Sequence, residues 1–169
     1  PSGDAVPDPE VPSSTVQATV FYMRTVRPPS RRDAEDPAVL RGEQAFGRVG
    51  CAACHVPSIE SGPSPIEPLS RRAVPLYSDL LLHDLGPALA DGYPEGEATG
   101  REWRTTPLWG LGLIPNLLGG QEYYLHDGRA RTLEEAIRLH GGEGEASAAR
   151  FAALPEAERA DLLRFLRSL

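Results

Sequence analysis

Apolar residues at helical spacing predict a helix near each end of the chain. The first covers residues 14–23, where Val16, Val20 and Met23 are at positions i, i+4 and i+7. The last covers about residues 155–168 and carries a continuous apolar stripe. This stripe consists of Leu162, Phe165, Leu166 and Leu169.

A further helix is predicted from Asp36, an N-cap residue, and Pro37, which suits the first helical position. It runs to about Gly47 and carries Phe46 on its apolar side. Gly42 lies inside it and costs about 1 kcal/mol of helix stability relative to alanine. We therefore expect another element to approach the backbone closely at Gly42.

Residues 56–131 are predicted to be mostly loop, with a few short helices and no convincing pair of strands. Residues 78–85 form one candidate helix because they contain an unbroken apolar run of leucines. Residues 103–118 are apolar but interrupted by proline and glycine, which favours an irregular strap.

Composition favours long loops and an acidic surface. The 169 residues include 17 glycines and 17 prolines, and the net charge is −7 with arginine as the only strong base. This charge argues against nucleic acids and anionic membranes as main partners. Apolar runs are too short for a membrane span, so we expect a protein that is not an integral membrane protein.

The strongest motif is Cys51-Ala52-Ala53-Cys54-His55, a CxxCH sequence. Covalent attachment of a haem requires two thiols and an imidazole at this spacing: the thiols add to the porphyrin vinyl groups and the histidine becomes an axial ligand. A zinc site normally has four Cys or His ligands, and the chain has no other cysteine. A redox CxxC would leave the adjacent His55 without a role. We therefore predict one covalent haem c.

The order of these elements resembles the cytochrome c fold, in which the first and last helices cross at a small residue. We expect an all-α, cytochrome c-like fold whose long irregular loops wrap one covalently bound haem c. Residues 1–36 would be an N-terminal arm with a short helix and a Pro/Arg linker, its first 13 residues disordered or draped, and residues 37–169 the haem domain. Bacteria attach haem to CxxCH outside the cytoplasm, which predicts a periplasmic or extracellular protein after removal of a signal peptide or upstream domain.

A second axial ligand must come from Met23, His83, His126, His140 or a tyrosine, if there is one. His140 ends the apolar face of a short helix, for which Thr132 and Glu135 form a predicted capping box. A core histidine bonded to a carbonyl would show the same local pattern. The residues themselves leave both interpretations open.

Longer strings resemble the C-terminal haem domain of bacterial di-haem cytochrome c peroxidases and, more closely, the di-haem oxidoreductase family, sometimes labelled thiol oxidoreductases. The resemblance is good over residues 37–169 and weak over 14–36. The strings that carry it are Ser78-Asp79-Leu80-Leu81-Leu82-His83-Asp84-Leu85-Gly86, Glu102-Trp103-Arg104-Thr105, Leu125-His126-Asp127-Gly128-Arg129-Ala130-Arg131 and His140-Gly141-Gly142-Glu143.

The family resemblance implies an axial ligand at the end of the helix after the His-Asp-Gly turn, a position that falls on His140. It therefore implies a bis-histidine haem with His55 and His140 as the metal ligands. His83 is the second candidate, because its leucine-rich flank could face the porphyrin. His126 is expected to order the turn or bond a propionate, and Met23 to lie outside the pocket.

Further cofactor contacts are expected from arginine, which pairs with a carboxylate in a bidentate fork. Solvated arginine is an equally good interpretation of each one alone. The candidate propionate partners are Arg104, Arg129 and Arg131, and the aromatic residues expected to wall the haem are Trp103, Trp109, Tyr123 and Tyr124.

Two departures from the peroxidase pattern affect function. Trp109 stands where those enzymes typically carry arginine, and a di-haem enzyme needs a second CxxCH that this sequence lacks. We therefore expect electron transfer to a redox partner or second haem domain. The alternative is a catalytic domain of the di-haem peroxidase type, and a weaker one is a subunit that feeds a larger redox complex.

Overall fold

The structure is a computed structural model that describes residues 9–169. Over these residues it is predominantly helical, with six α-helices and four short strands. The helices are α1 Ser13–Thr25, α2 Pro37–Arg48, α3 Ile114–Leu117, α4 Leu133–Arg138, α5 Glu145–Ala152 and α6 Glu156–Ser168. The strands are β1 Ile59–Glu60, β2 Ala73–Val74, β3 Leu82–Asp84 and β4 Glu102–Arg104.

The core is built where α2 and α6 cross. Gly42 is buried at the crossing, where an added Cβ atom would clash with the Asp161 carbonyl group and lie 2.7 Å from Phe165 Cβ. The rings of Phe46 and Phe165 pack edge to face with centroids 5.3 Å apart. The close approach predicted at Gly42 is therefore confirmed.

Local capping signals fix two helix starts where the sequence predicts them. The Asp36 side chain accepts a hydrogen bond from the Ala38 N–H at 2.7 Å at the start of α2. Thr132 accepts one from the Glu135 N–H at 3.0 Å at the start of α4. The Glu135 carboxylate bonds the Arg131 N–H rather than the N-cap N–H, so the capping box is present in a shifted form.

Two predictions for the middle of the chain are wrong. Residues 78–85 do not form a helix: Leu80 has a left-handed φ of 62°, and Leu82–Asp84 is strand β3. The expected absence of strand pairs is also wrong, because β3 pairs with β4 and β1 pairs with β2, both antiparallel. The pairing places His83 opposite Trp103.

Helix α1 has no buried residue, and the side chain of Met23 is 66% exposed. The linker that follows is attached to the core, since Arg32 N–H donates to the Ser168 carbonyl at 2.8 Å. Most of the predicted disordered arm, residues 1–8, lies outside the described residues. None of the helices in residues 9–169 has the length and apolar character needed to cross a bilayer.

Candidate haem-binding cleft

An open cleft of about 280 Å³ lies beside the α2–α6 crossing. Its size is near the lower end for small-molecule pockets. The CxxCH segment, the chain around β4 and the end of α4 all contribute to its lining. Apolar side chains that form its walls include Phe46, Leu108, Leu111, Ile114, Leu133 and Leu166.

The CxxCH segment enters the cleft directly after α2. Gly50 takes a left-handed φ of 93° and an added Cβ would lie 2.6 Å from Arg150 Nη1, so this turn requires glycine. Residues Cys51–Ala53 form one turn of 3₁₀-helix, and both cysteines are free and line the cleft. Burial raises the pKa of Cys51 to about 11, which keeps its thiol protonated at neutral pH.

The His55 imidazole is oriented by a backbone carbonyl. Its Nδ1 lies 3.0 Å from the Tyr77 carbonyl oxygen, and since a carbonyl can only accept, Nδ1–H is the donor. Burial lowers the pKa of His55 to about 4, so the ring is neutral with a lone pair on Nε2. The Tyr77 hydroxyl in turn donates to Glu43 Oε1 at 2.8 Å, which anchors the carbonyl that holds the imidazole.

His140 is held in an equivalent way on another side of the cleft. It follows α4, and its Nδ1 lies 2.7 Å from the carbonyl oxygen of Ala136, one turn earlier. Because a carbonyl can only accept, Nδ1–H is again the donor, and the neutral form of this ring carries its lone pair on Nε2. His140 also lines the cleft. The structure therefore brings His55 and His140, which are 85 positions apart in sequence, to one cavity with matching tautomers.

His83 lines the same cleft, but both its ring nitrogens are engaged. Nε2 lies 2.9 Å from Asp79 Oδ2, and Nδ1 lies 2.8 Å from Glu143 Oε2. The hydrogen bond to Glu143, followed by that to Asp79, raises the pKa of His83. Ligand atoms of Cys54, Asp79 and His83 lie within 4.8 Å of one another, as in a metal site. Because the imidazole nitrogens are already donors to carboxylates, we interpret this cluster as a hydrogen-bonded network.

Trp103 and His126 stack on each other at the edge of the cleft, with ring centroids 4.9 Å apart and an interplanar angle of 19°. His126 Nε2 is 3.3 Å from Thr106 Oγ1, and burial lowers the pKa of the ring. Trp103 Nε1 is buried and has no hydrogen-bond partner among the residues that the structure describes.

Comparison with known protein families identifies the family of this chain. The family model described as "Di-haem oxidoreductase, putative peroxidase" matches residues 2–169. The chain belongs to this family. Searches of curated proteins and of solved structures found no match. The family name implies a haem cofactor, in agreement with the family resemblance seen in the sequence.

Some of the other predicted site residues line the cleft and others do not. Arg104 lines it, as do Tyr123 and Tyr124. Trp109 and Arg129 are not part of its lining. Arg129 instead donates to Asp127 at 2.6 Å and to the Ala88 carbonyl at 2.7 Å, and Trp109 is 36% exposed. Arg131 lies over the Tyr123 ring, with Cζ 4.0 Å from its centroid.

The residues present fit a haem c. The cleft offers two free thiols, apolar walls and two imidazoles whose Nδ1 atoms are bonded to backbone carbonyls. Sequence reasoning missed the residues that support the histidines: the Tyr77–Glu43 pair behind His55, and Glu143 on His83. No local pattern reveals these pairs, because each joins residues more than 30 positions apart.

Proposed function

We propose that this chain is a cytochrome c-like electron-transfer domain of a di-haem oxidoreductase. Cys51 and Cys54 would attach one haem c, and His55 and His140 would be its axial ligands. Such a domain would pass electrons to a redox partner or to a second haem domain. A bound haem supplies one-electron chemistry, and two imidazole ligands set a lower potential than His/Met ligation.

The observation that carries this proposal is the common arrangement of His55 and His140. Both line the cleft, and each donates Nδ1–H to a backbone carbonyl, at 3.0 and 2.7 Å. Metal-binding histidines in proteins almost always donate their other ring N–H in this way, which fixes the tautomer and the ring orientation. His83 has no free nitrogen for iron while both carboxylates hold it.

The helix arrangement supports a cytochrome c-like fold for residues 37–169. Helix α2 crosses α6 at Gly42, and the CxxCH segment follows α2 after a single glycine turn. The apolar side chains of both helices then form one wall of the cleft, through Phe46 and Leu166.

The residues of the chain have separate tasks in this proposal. His55 and His140 would hold the iron, and with both bound no coordination position would remain for a substrate. The apolar walls exclude water, which lowers the polarity around the cofactor. The Arg104 guanidinium, which lines the cleft, is a donor suited to the carboxylates of the porphyrin. Arg129 would meet them only if its bonds to Asp127 and Ala88 changed.

We infer two consequences for the setting of the protein. Attachment of haem to Cys51 and Cys54 takes place outside the bacterial cytoplasm, so a periplasmic or extracellular location follows. The net charge of −7 favours a redox partner with a basic docking surface, because complementary charge steers encounter.

The test is the ferric spectrum of the purified holoprotein, by EPR and visible absorption, together with intact mass. We expect a mass increase of one covalent haem and a low-spin bis-imidazole signal. His140→Ala should abolish that signal, whereas the matched variant His83→Ala should keep it. A high-spin wild type, or loss of the low-spin signal in His83→Ala alone, would refute the assignment of His140.

The second candidate function is haem peroxidase catalysis, and the family description favours it. Catalysis requires an open axial position, which His140 would have to vacate. Stopped-flow mixing with hydrogen peroxide separates the two functions. Spectral change within milliseconds in the resting wild type would favour catalysis, and a slow reaction accelerated by His140→Ala would favour electron transfer.

A further inference from the structure

The segment that carries His140 is pressed against the end of strand β3. An added Cβ at Gly141 would lie 2.9 Å from the Leu85 carbonyl oxygen, and one at Gly142 would lie 2.8 Å from the Gly86 N–H. Gly142 also takes a left-handed φ of 53°. The two backbones therefore approach more closely than any side chain would allow, immediately after His140.

Glu143 ties the same two segments together through both of its carboxylate oxygens. Oε1 accepts the Asp84 backbone N–H at 2.9 Å, and Oε2 accepts from His83 Nδ1 at 2.8 Å. Glu143 is three residues after His140, so these bonds connect the loop of the predicted ligand to β3. A carboxylate whose two oxygens accept from donors on separate groups is restrained in both position and orientation.

His83 links Glu143 to Asp79, which is itself bonded to the CxxCH segment. Its Nε2 donates to Asp79 Oδ2 at 2.9 Å, and the Asp79 backbone N–H donates to the Cys54 carbonyl at 2.9 Å. Carboxylate oxygens only accept, so both imidazole nitrogens carry hydrogen and the ring is a cation between two anions. The His83 and Asp79 side chains are only 17% and 14% exposed, which reduces solvent screening of the bond between them, whereas the Glu143 side chain is 55% exposed.

From this geometry we infer that Glu143 and His83 are positioning residues for the distal ligand. They form a clamp, defined by Asp79, His83 and Glu143, that holds the His140 segment against β3 and keeps His140 in its axial position. This inference rests on the proposed function, because it assumes that His140 binds the iron. The clamp then determines how often the distal position opens to a small exogenous ligand.

The experiment measures cyanide binding to the ferric holoprotein by stopped flow. The cyanide concentration is high enough that the dissociation of His140 from the iron limits the rate of binding. Loss of a residue that orients a metal ligand typically changes affinity by about 10–100-fold. We expect Glu143→Ala and His83→Ala to raise the limiting rate by roughly this factor while the resting spectrum stays low-spin. Glu143→Gln keeps an acceptor for the Asp84 N–H but loses the charge, so its rate should be intermediate.

Two controls separate positioning from general damage. Glu145→Ala removes an equal charge two residues later, in the first turn of α5, and should leave the rate unchanged. In a His140→Ala background, Glu143→Ala should have no further effect, because the ligand that it positions is gone. Suppose that the wild type is low-spin but Glu143→Ala leaves the limiting rate of cyanide binding unchanged, or changes it equally in the His140→Ala background. Either result would overturn the clamp and leave the proposed function standing. A high-spin wild type would refute the proposed function and the clamp with it.

Discussion

Replacing Gly42 by alanine tests the helix crossing on which the cleft is built. The added methyl group would lie 2.6 Å from the Asp161 carbonyl carbon and 2.7 Å from Phe165 Cβ, with the Asp161 oxygen closer still. Two of these three atoms belong to the backbone of α6, so no side-chain rotation relieves the contact. The two helices must move apart.

The size of the effect follows from two opposing contributions. Carbon atoms pack at about 3.5–4.0 Å, so α6 must shift by roughly 1 Å, which loosens the contact of Phe46 with Phe165. Inserting a methylene into a packed core costs up to about 3 kcal/mol. Alanine gains about 1 kcal/mol over glycine in a helix interior. The net loss in the free energy of unfolding is therefore about 2 kcal/mol, or roughly 4–8 °C in Tm for a chain of this size.

The assay is thermal unfolding of the holoprotein followed by far-UV circular dichroism. Gly47→Ala is the matched control: it lies in the same helix, and its Cβ would meet nothing within 4 Å. It should be neutral or stabilise by up to about 1 kcal/mol. If Gly42→Ala melts at or above the wild-type temperature, α2 and α6 do not cross as described.

Two other substitutions test the residues behind the cleft. Burial, followed by the hydrogen bond to Glu43, raises the pKa of Tyr77 from 10.0 to about 12. The folded protein thus holds this proton more tightly than the unfolded chain does, so the free energy of unfolding should fall as the pH rises from 10 to 12. Urea unfolding should show a smaller fall in Tyr77→Phe, which lacks this proton. Ser78 is fully buried, donates to the Thr105 carbonyl at 2.7 Å and accepts from the Leu80 N–H at 2.9 Å. Ser78→Ala should lower the free energy of unfolding by about 1–3 kcal/mol in the same assay.

Exposed residues of the same type provide the controls for both substitutions. Tyr93 is 76% exposed, so Tyr93→Phe should keep the wild-type pH profile. An equally steep loss of stability in Tyr77→Phe would contradict the role given to its hydroxyl. Ser58 is exposed, and Ser58→Ala should change stability little. If Ser78→Ala were as stable as Ser58→Ala, the two hydrogen bonds of the Ser78 hydroxyl would make no net contribution to the free energy of unfolding.

Features with a local physical cause could be predicted from the sequence. A side-chain oxygen at Asp36 or Thr132 caps the helix that follows it, whatever the rest of the chain does. Gly42 signalled a close approach because glycine is otherwise unfavourable in a helix interior. The prediction of a haem c likewise depends on a spacing within five residues, and it stays a prediction.

The segment 78–85 could not be predicted because its conformation depends on distant partners. Its leucine run satisfies a helical pattern as well as a strand pattern. Two long-range bonds decide between them: Ser78 Oγ to the Thr105 carbonyl, and the Thr105 N–H to the Leu81 carbonyl. Both bonds involve Thr105, which directly follows β4. This strand is hard to recognise in the sequence because it has only three residues.

The candidate site shows the same division. The sequence, through its helix and the family resemblance, ranked His140 ahead of His83 as the second ligand. It could not reveal what holds His83, because its partner Glu143 is 60 positions away in sequence and 2.8 Å away in space. Trp109 is predicted to wall the haem from its aromatic character alone, and in the structure it is 36% exposed and outside the lining of the cleft.

The crossing of α2 with α6 also has a consequence for the order of folding. The two helices are separated by more than 100 residues, so the face of α2 at Gly42 gains its partner only when the C-terminal end of the chain docks on it. Such contacts between distant parts of a chain form slowly, because closing a long loop costs entropy. Until the helices dock, Cys51 and Cys54 follow a helix that does not yet contact α6. If haem is attached as proposed, we therefore expect the thiols to be open to the attaching enzyme before the crossing forms, so a slow final step would assist maturation.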